Sequence, residues 1–290
     1  MSAYLARKQR HHPAVVLVFF YLALVLTSCG GQSDSIHNSQ DAYLVAVQDA
    51  AGRATQDKIS KNLIPIIPEN RVLDWENGIP GTRVLVASWV TEAVGNSYRC
   101  PSEGCKASDT CKEGRECPNY TYDTWVTVVP ELKRFFAGVS PEPLRIAQLL
   151  GLPPDDAVRK TYLLELWVSP NDLFRPCADP DITTTECPLD YPDDQFLIFS
   201  LTLKVYADQA CDLNQCGFKD YYRWFVNRRT YLYVSEYPYP WTRLGYTYDW
   251  GNSRNHVGLS EFVVHGNTES GKGISVKVNR VVPTANYFNQ

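Results

Sequence analysis

The sequence predicts a mainly β, α+β protein: an antiparallel sandwich-like or partly closed sheet with two or three short helices and disulfide-stapled loops. Three observations predict it. Eight short segments are β-branched runs or alternate apolar and polar residues with a two-residue period, the period of a strand. Helical patterns are few and short, and two of them open on Pro130 and Pro143, where the fixed φ of proline suits a first turn. Eight of the nine cysteines fall in polar, turn-rich stretches between the strands.

The chain begins with a positive stretch, Arg7, Lys8 and Arg10, followed by an uncharged apolar run from Ala14 to Leu26. This is the build of a secretory signal, 1–28, cleaved in the mature protein. As a helix the run would extend about 20 Å, short of the roughly 30 Å hydrocarbon core that a spanning helix crosses. Leu26-Thr27-Ser28-Cys29 also resembles the bacterial lipobox. That resemblance, confined to residues 1–29, implies a lipidated (palmitate-bearing) Cys29 as first mature residue, and hence a lipoprotein. Gly30 after the Cys resembles what sorting to the outer membrane permits. The implied location is the cell envelope, lipid-anchored, more at the outer membrane than elsewhere, on its periplasmic or surface face.

Setting Cys29 aside leaves Cys100, Cys105, Cys111, Cys117, Cys177, Cys187, Cys211 and Cys216, an even set that reads as four disulfides in an oxidising compartment. Clustering pairs Cys177 with Cys187 and Cys211 with Cys216. The first four pair among themselves in one of three ways. Their spacings, with four, five and five intervening residues, lack the two-residue hooks of structural zinc, so no metal is assigned. The first 29 residues hold three of the 28 basic residues and none of the 32 acids, so the mature chain carries 25 against 32, a net charge of −7. Nucleic acid is thereby excluded as a partner.

In the mature chain, 29–40 is the lipidated Cys and a polar tether, and 41–82 is a helical segment, Asp41 to Lys61, with a Pro-rich connection. The β-rich domain is 83–290. Its strands are Arg83–Thr91, Thr121–Val129, Thr161–Val168, Phe199–Tyr206, the end of Arg223–Tyr233, Gly245–Trp250, Val257–His265 and Gly273–Val282. Short helices fall at Pro130–Phe136 and Pro143–Leu150, a Cys-rich insertion fills 95–120, and 267–272 belongs to a hairpin loop. The acidic loop from Asp172 to Asp194 has no calcium-binding spacing and reads as solvated surface.

No Gly-x-Ser-x-Gly elbow, His-Glu-x-x-His pair, Walker loop or dinucleotide turn is present, so no catalytic residue and no cofactor are assigned. His256, Ser260, Glu261 and His265 are close in sequence, but on one strand they would divide between two faces. The stretch 219–250 is dense in aromatics and arginine. Such residues either build sheet and core or offer flat platforms for a ligand. Trp224, Tyr231, Tyr233, Trp241, Tyr246, Trp250 and Arg243 are the candidate binding residues. The function expected is a lipid-anchored envelope protein that acts as a binding or structural module, held to the membrane through Cys29, with a glycan or an envelope protein as partner. The alternatives are a hydrolase of cell-wall or extracellular glycans and an accessory subunit of an envelope complex. A pocket with two carboxylates and aromatic walls would favour the hydrolase.

Overall fold

The computed structural model describes residues 30–189, 221, 224–225, 228–229, 231–266 and 273–289. The expected signal segment, Cys29, the strand Phe199–Tyr206, the pair Cys211 and Cys216, the acids Asp190, Asp193 and Asp194 and the loop 267–272 lie outside the described residues. The chain divides into two units, Met1–Ala42 and Tyr43–Gln290.

Gly30–Ala51 is helical (α1), which includes most of the stretch read as a tether, and the helix stops well before Lys61. The stop is at Gly52, whose N–H turns back to the Asp49 carbonyl at 3.2 Å. Within the second unit, Tyr43, Ala46, Val47 and Ala50 of α1 bury an i, i+3, i+4, i+7 stripe against Tyr248 and Trp250.

The centre is one seven-stranded antiparallel sheet. In sequence order its strands are β1 (Val84–Thr91), β2 (Glu116–Tyr120), β3 (Thr124–Val128), β4 (Lys160–Val168), β5 (Leu173–Phe174), β8 (Phe262–Val264) and β9 (Ile274–Pro283). In space they run β2-β9-β4-β1-β3-β8-β5. A two-stranded ribbon, β6 (Tyr246–Tyr248) with β7 (Val257–Ser260), completes the described β structure. Most of β1 and the middle of β4, Leu163 to Leu166, are buried without alternation, because both faces of the central sheet are covered there; such stretches read as continuous apolar runs.

On one face, Val84, Val86 and Val90 join Leu164, Leu166, Val276 and Val278 under Ile66, Leu73 and Trp75 of the Pro-rich connection. On the other, Leu85, Ala87, Trp89 and Leu163 lie beneath helices. These are α3 (Val129–Phe136), α4 (Pro143–Leu149) and α6 (Thr284–Tyr287), which contribute Leu132, Ile146 and Tyr287. α2 (Glu92–Tyr98) and α5 (Asp156–Arg159) are the remaining short helices with continuous bounds.

Three expectations change. The insertion 95–120 is not all loop: α2 occupies its start, and β2 at its end pairs with β9, Cys117 opposite Val276. Its four cysteines pair locally, Cys100 with Cys105 and Cys111 with Cys117, and Cys177 pairs with Cys187 as expected. Second, Val257–His265 is two strands in two sheets. β7 pairs with β6, β8 pairs with β3 and β5, and Glu261 stands at the crossover with its N–H on the Gly245 carbonyl at 2.9 Å. Third, the described residues among 221–232 are helical, not strand. Tyr221, Trp224, Phe225 and Leu232 share a helical stripe, and the first three pack on Trp241 or on one another.

Candidate functional site

The helices on the second sheet face do not close completely over it. Between β1, β3 and β4 below and the 232–239 segment above lies a cavity of about 380 Å³. Its floor follows from strand alternation: Ala87 and Trp89 of β1, Trp125 and Thr127 of β3 and Leu163 of β4 all point the same way, with Ala87 directly opposite Thr127. Leu132 of α3, Leu150 and Leu152 after α4, and Leu232 supply aliphatic walls. Tyr239, Thr247 and Glu261 bring in polar groups, and Lys160 and Asp123 stand at the edge, their side chains 21% and 20% exposed.

Most of these polar groups are engaged. The Thr247 hydroxyl donates to the Leu149 carbonyl (2.6 Å) and accepts from the Leu259 N–H (2.9 Å). The Lys160 ammonium donates to the Trp89 carbonyl at 3.0 Å and lies 3.7 Å from Asp156; burial nonetheless lowers its pKa. Burial works against the charge on Asp123, but hydrogen bonds outweigh it and hold its carboxyl below the usual range. The donors are His265 at 3.4 Å, the Gly266 N–H at 3.2 Å and the Trp224 indole at 3.0 Å.

Two groups are not fully engaged. Thr127 Oγ1 and Glu261 Oε2 are buried and have no hydrogen-bond partner among the described residues. The other Glu261 oxygen, Oε1, lies 2.9 Å from the Tyr239 hydroxyl. Glu261 is 2% exposed, and burial in an apolar wall pushes its carboxyl up to about 8, so that it is mainly neutral at pH 7. An unmet buried polar atom costs about 1 to 3 kcal/mol, and two of them line one apolar cavity.

The residues singled out from the aromatic stretch lie mostly elsewhere. Trp241, Tyr246, Trp250 and Arg243 are buried, and each directs its polar end to a backbone carbonyl. The Trp241 indole goes to Pro176 (2.9 Å), the Tyr246 hydroxyl to Lys58 (2.8 Å), the Trp250 indole to Leu152 (2.9 Å) and the Arg243 guanidinium to Ala50 (3.0 Å). Tyr233 is half-buried, with its hydroxyl on the Trp241 carbonyl at 2.6 Å. Tyr231 is exposed. Trp224 holds Asp123 and packs against Trp125, and Trp241 packs on the same Trp125, so these two stand behind the cavity wall. Glu261, Thr127, Tyr239 and Trp125 were not assigned a site role from sequence. Their signal is convergence in space; along the chain only Glu261 stood out, by its nearness to His256, Ser260 and His265.

Among the described residues no three His, Cys, Asp or Glu side chains come together as a metal site would require, and no helix is long and apolar enough to cross a membrane. Comparison with family models, with curated proteins and with solved structures finds no match to this chain.

Proposed function

We propose that this chain is an exported bacterial envelope protein, lipid-anchored at Cys29, that binds a small, largely apolar molecule in the cavity under Tyr239. The observation that carries the binding reading is the cavity itself: about 380 Å³, walled by Leu, Trp and Ala, with Glu261 and Thr127 offering unmet polar atoms. Small-molecule sites have this character, apolar walls with a few convergent polar groups in roughly 300 to 1,000 Å³. The anchor reading is supported by the Ala14–Leu26 run ending at Leu26-Thr27-Ser28-Cys29. Three disulfides in the body agree with an oxidising compartment.

Two measurements test these parts separately. Intact mass of the protein purified from membranes, alkylated with and without reductant, should start at Cys29 with acyl chains added and show no free thiol before reduction. A mass without lipid, or alkylation before reduction, refutes the anchored, fully paired protein. Titration with methylnaphthalene, followed by calorimetry and by tryptophan fluorescence from Trp89 and Trp125, should saturate at one equivalent. No saturable binding refutes the cavity as a ligand site.

A second reading, a hydrolase, is favoured by one observation: two carboxyl groups with pKa values moved in opposite directions, Glu261 up and Asp123 down, line the same aromatic-walled cavity. That is the pattern of an acid and a base in one site. Both Asp123 oxygens are already occupied by its three donors, which places it as a support for the cavity edge and leaves the binding reading ahead. Turnover of nitrophenyl glycosides lost in both Glu261→Gln and Asp123→Asn would establish the hydrolase; no turnover by the wild-type protein excludes it for these substrates.

A further inference from the structure

We propose that the cavity selects an uncharged ring compound carrying a hydrogen-bond donor, and that Glu261, as a neutral acid, is the group that recognises the donor. The inference rests on the cavity being a ligand site, and adds the class of ligand.

Proton counting at Tyr239 is the first support. Its hydroxyl lies 3.0 Å from the Leu150 carbonyl and 2.9 Å from Glu261 Oε1. A phenol has one proton and cannot give it fully to two acceptors. Both contacts are complete hydrogen bonds together when the phenol donates to Leu150 and Glu261 Oε1 carries a proton donated to the phenol oxygen. Glu261 Oε2 is then a carbonyl-type acceptor with no partner among the described residues. The upward shift of the Glu261 carboxyl agrees with this proton arrangement.

The surroundings decide the charge of the ligand. The charged or titratable groups of the described wall are Glu261, Tyr239, Lys160 and Asp123. Lys160 already has the Trp89 carbonyl and Asp156, and Asp123 has His265, Gly266 and Trp224, so neither cation nor anion stands ready to neutralise an incoming charge. An ionised ligand would have to leave water for leucine and tryptophan walls without a counter-charge, at a cost of several kcal/mol. A neutral donor instead meets Oε2 at no such cost, and a hydroxyl could also meet Thr127 Oγ1.

Shape and size favour rings. Trp89, Trp125 and Tyr239 give flat walls, and a dry cavity of about 150 Å³ is enough for benzene. The volume of about 380 Å³ therefore suits a compound of about two rings.

The test compares four probes of one shape on the disulfide-intact protein at pH 6.5: methylnaphthalene, naphthylmethanol, naphthylmethylammonium and naphthoate. One net hydrogen bond to a buried acceptor predicts naphthylmethanol bound about five- to tenfold more tightly than methylnaphthalene, with both ions bound more weakly than either. Glu261→Gln should keep the preference for the alcohol, because the amide still donates to Tyr239 and accepts from the ligand. Glu261→Leu should lose the preference while still binding methylnaphthalene, which shows that the cavity survives. If methylnaphthalene and naphthylmethanol bind the wild-type protein equally, the role of Glu261 fails and the cavity stands as an apolar site. If the ammonium binds most tightly, Glu261 acts as an anion and the inference is overturned. If no probe binds, the ligand-site reading fails, and this inference with it.

Discussion

Replacing Glu261 by Gln should stabilise the protein, and increasingly so as the pH rises. The carboxyl has an ordinary value of 4.5 and is raised to about 8 in the folded protein. Below pH 4.5 the acid is neutral in both folded and unfolded chains, and the substitution changes little. Between pH 4.5 and 8 the unfolded chain releases the proton while the folded one keeps it, so each pH unit disfavours the wild-type fold by about 1.36 kcal/mol. The difference reaches about 3 kcal/mol at pH 7 and levels off near ~5 kcal/mol above pH 8, where the folded acid also ionises. Glutamine has the same shape and no charge to lose, and it can keep the contact with Tyr239. Lys160, Asp123 and Tyr239 are present in both proteins, so their own titrations largely cancel in the comparison. Urea denaturation of the two proteins at pH 4, 6, 7 and 8.5, with disulfides intact, measures the difference directly. A gap that is flat across that range, or that shrinks with rising pH, would refute the neutral buried acid and with it the proton arrangement at Tyr239.

Two further outcomes follow from burial alone. Trp241→Ala removes a side chain with no exposed surface that packs on Trp125, Trp224 and Phe225, and should lower unfolding free energy by about 3 to 5 kcal/mol in urea titrations; unchanged stability would mean that it is a ligand platform after all. Arg280→Leu removes the guanidinium that donates to Glu165 from Nε (2.8 Å) and Nη2 (3.1 Å), leaving a fully buried carboxylate that still accepts from Asn279 (2.6 Å). The loss should be about 2 to 3 kcal/mol, smaller than for a wholly buried pair because Arg280 is 35% exposed, and adding Glu165→Leu should recover most of it. A double variant no more stable than the single one would show that the pair itself, and not the stranded charge, carries the stability.

The sequence by itself determined the elements whose cause is local. β1 is a Val-rich run, β4 is a Leu-rich strand with two-residue alternation, and α3 and α4 carry prolines that fix the first turn, so their bounds agree with the sequence within two residues. Clustering was enough to pair Cys177 with Cys187, because few residues separate them. β2 was not legible: its sequence, Glu-Cys-Pro-Asn-Tyr, has no strand period of its own and is held by β9 across an irregular register. The aromatic stretch was ambiguous for the same reason that Tyr and Trp are versatile, since a ring packs equally well on a strand or a helix, and only neighbours such as Phe174 and Trp241 decide. The cavity could not be read at all. It exists because a loop after α4, a turn near Tyr239 and the crossover at Glu261 meet over one face of β1 and β3. The burial that keeps Glu261 neutral is a sum over atoms from all of them. A carboxylate in a sequence is an ordinary exposed acid until tertiary structure removes its water, and that desolvation is what turned Glu261 from a strand residue into the centre of the site.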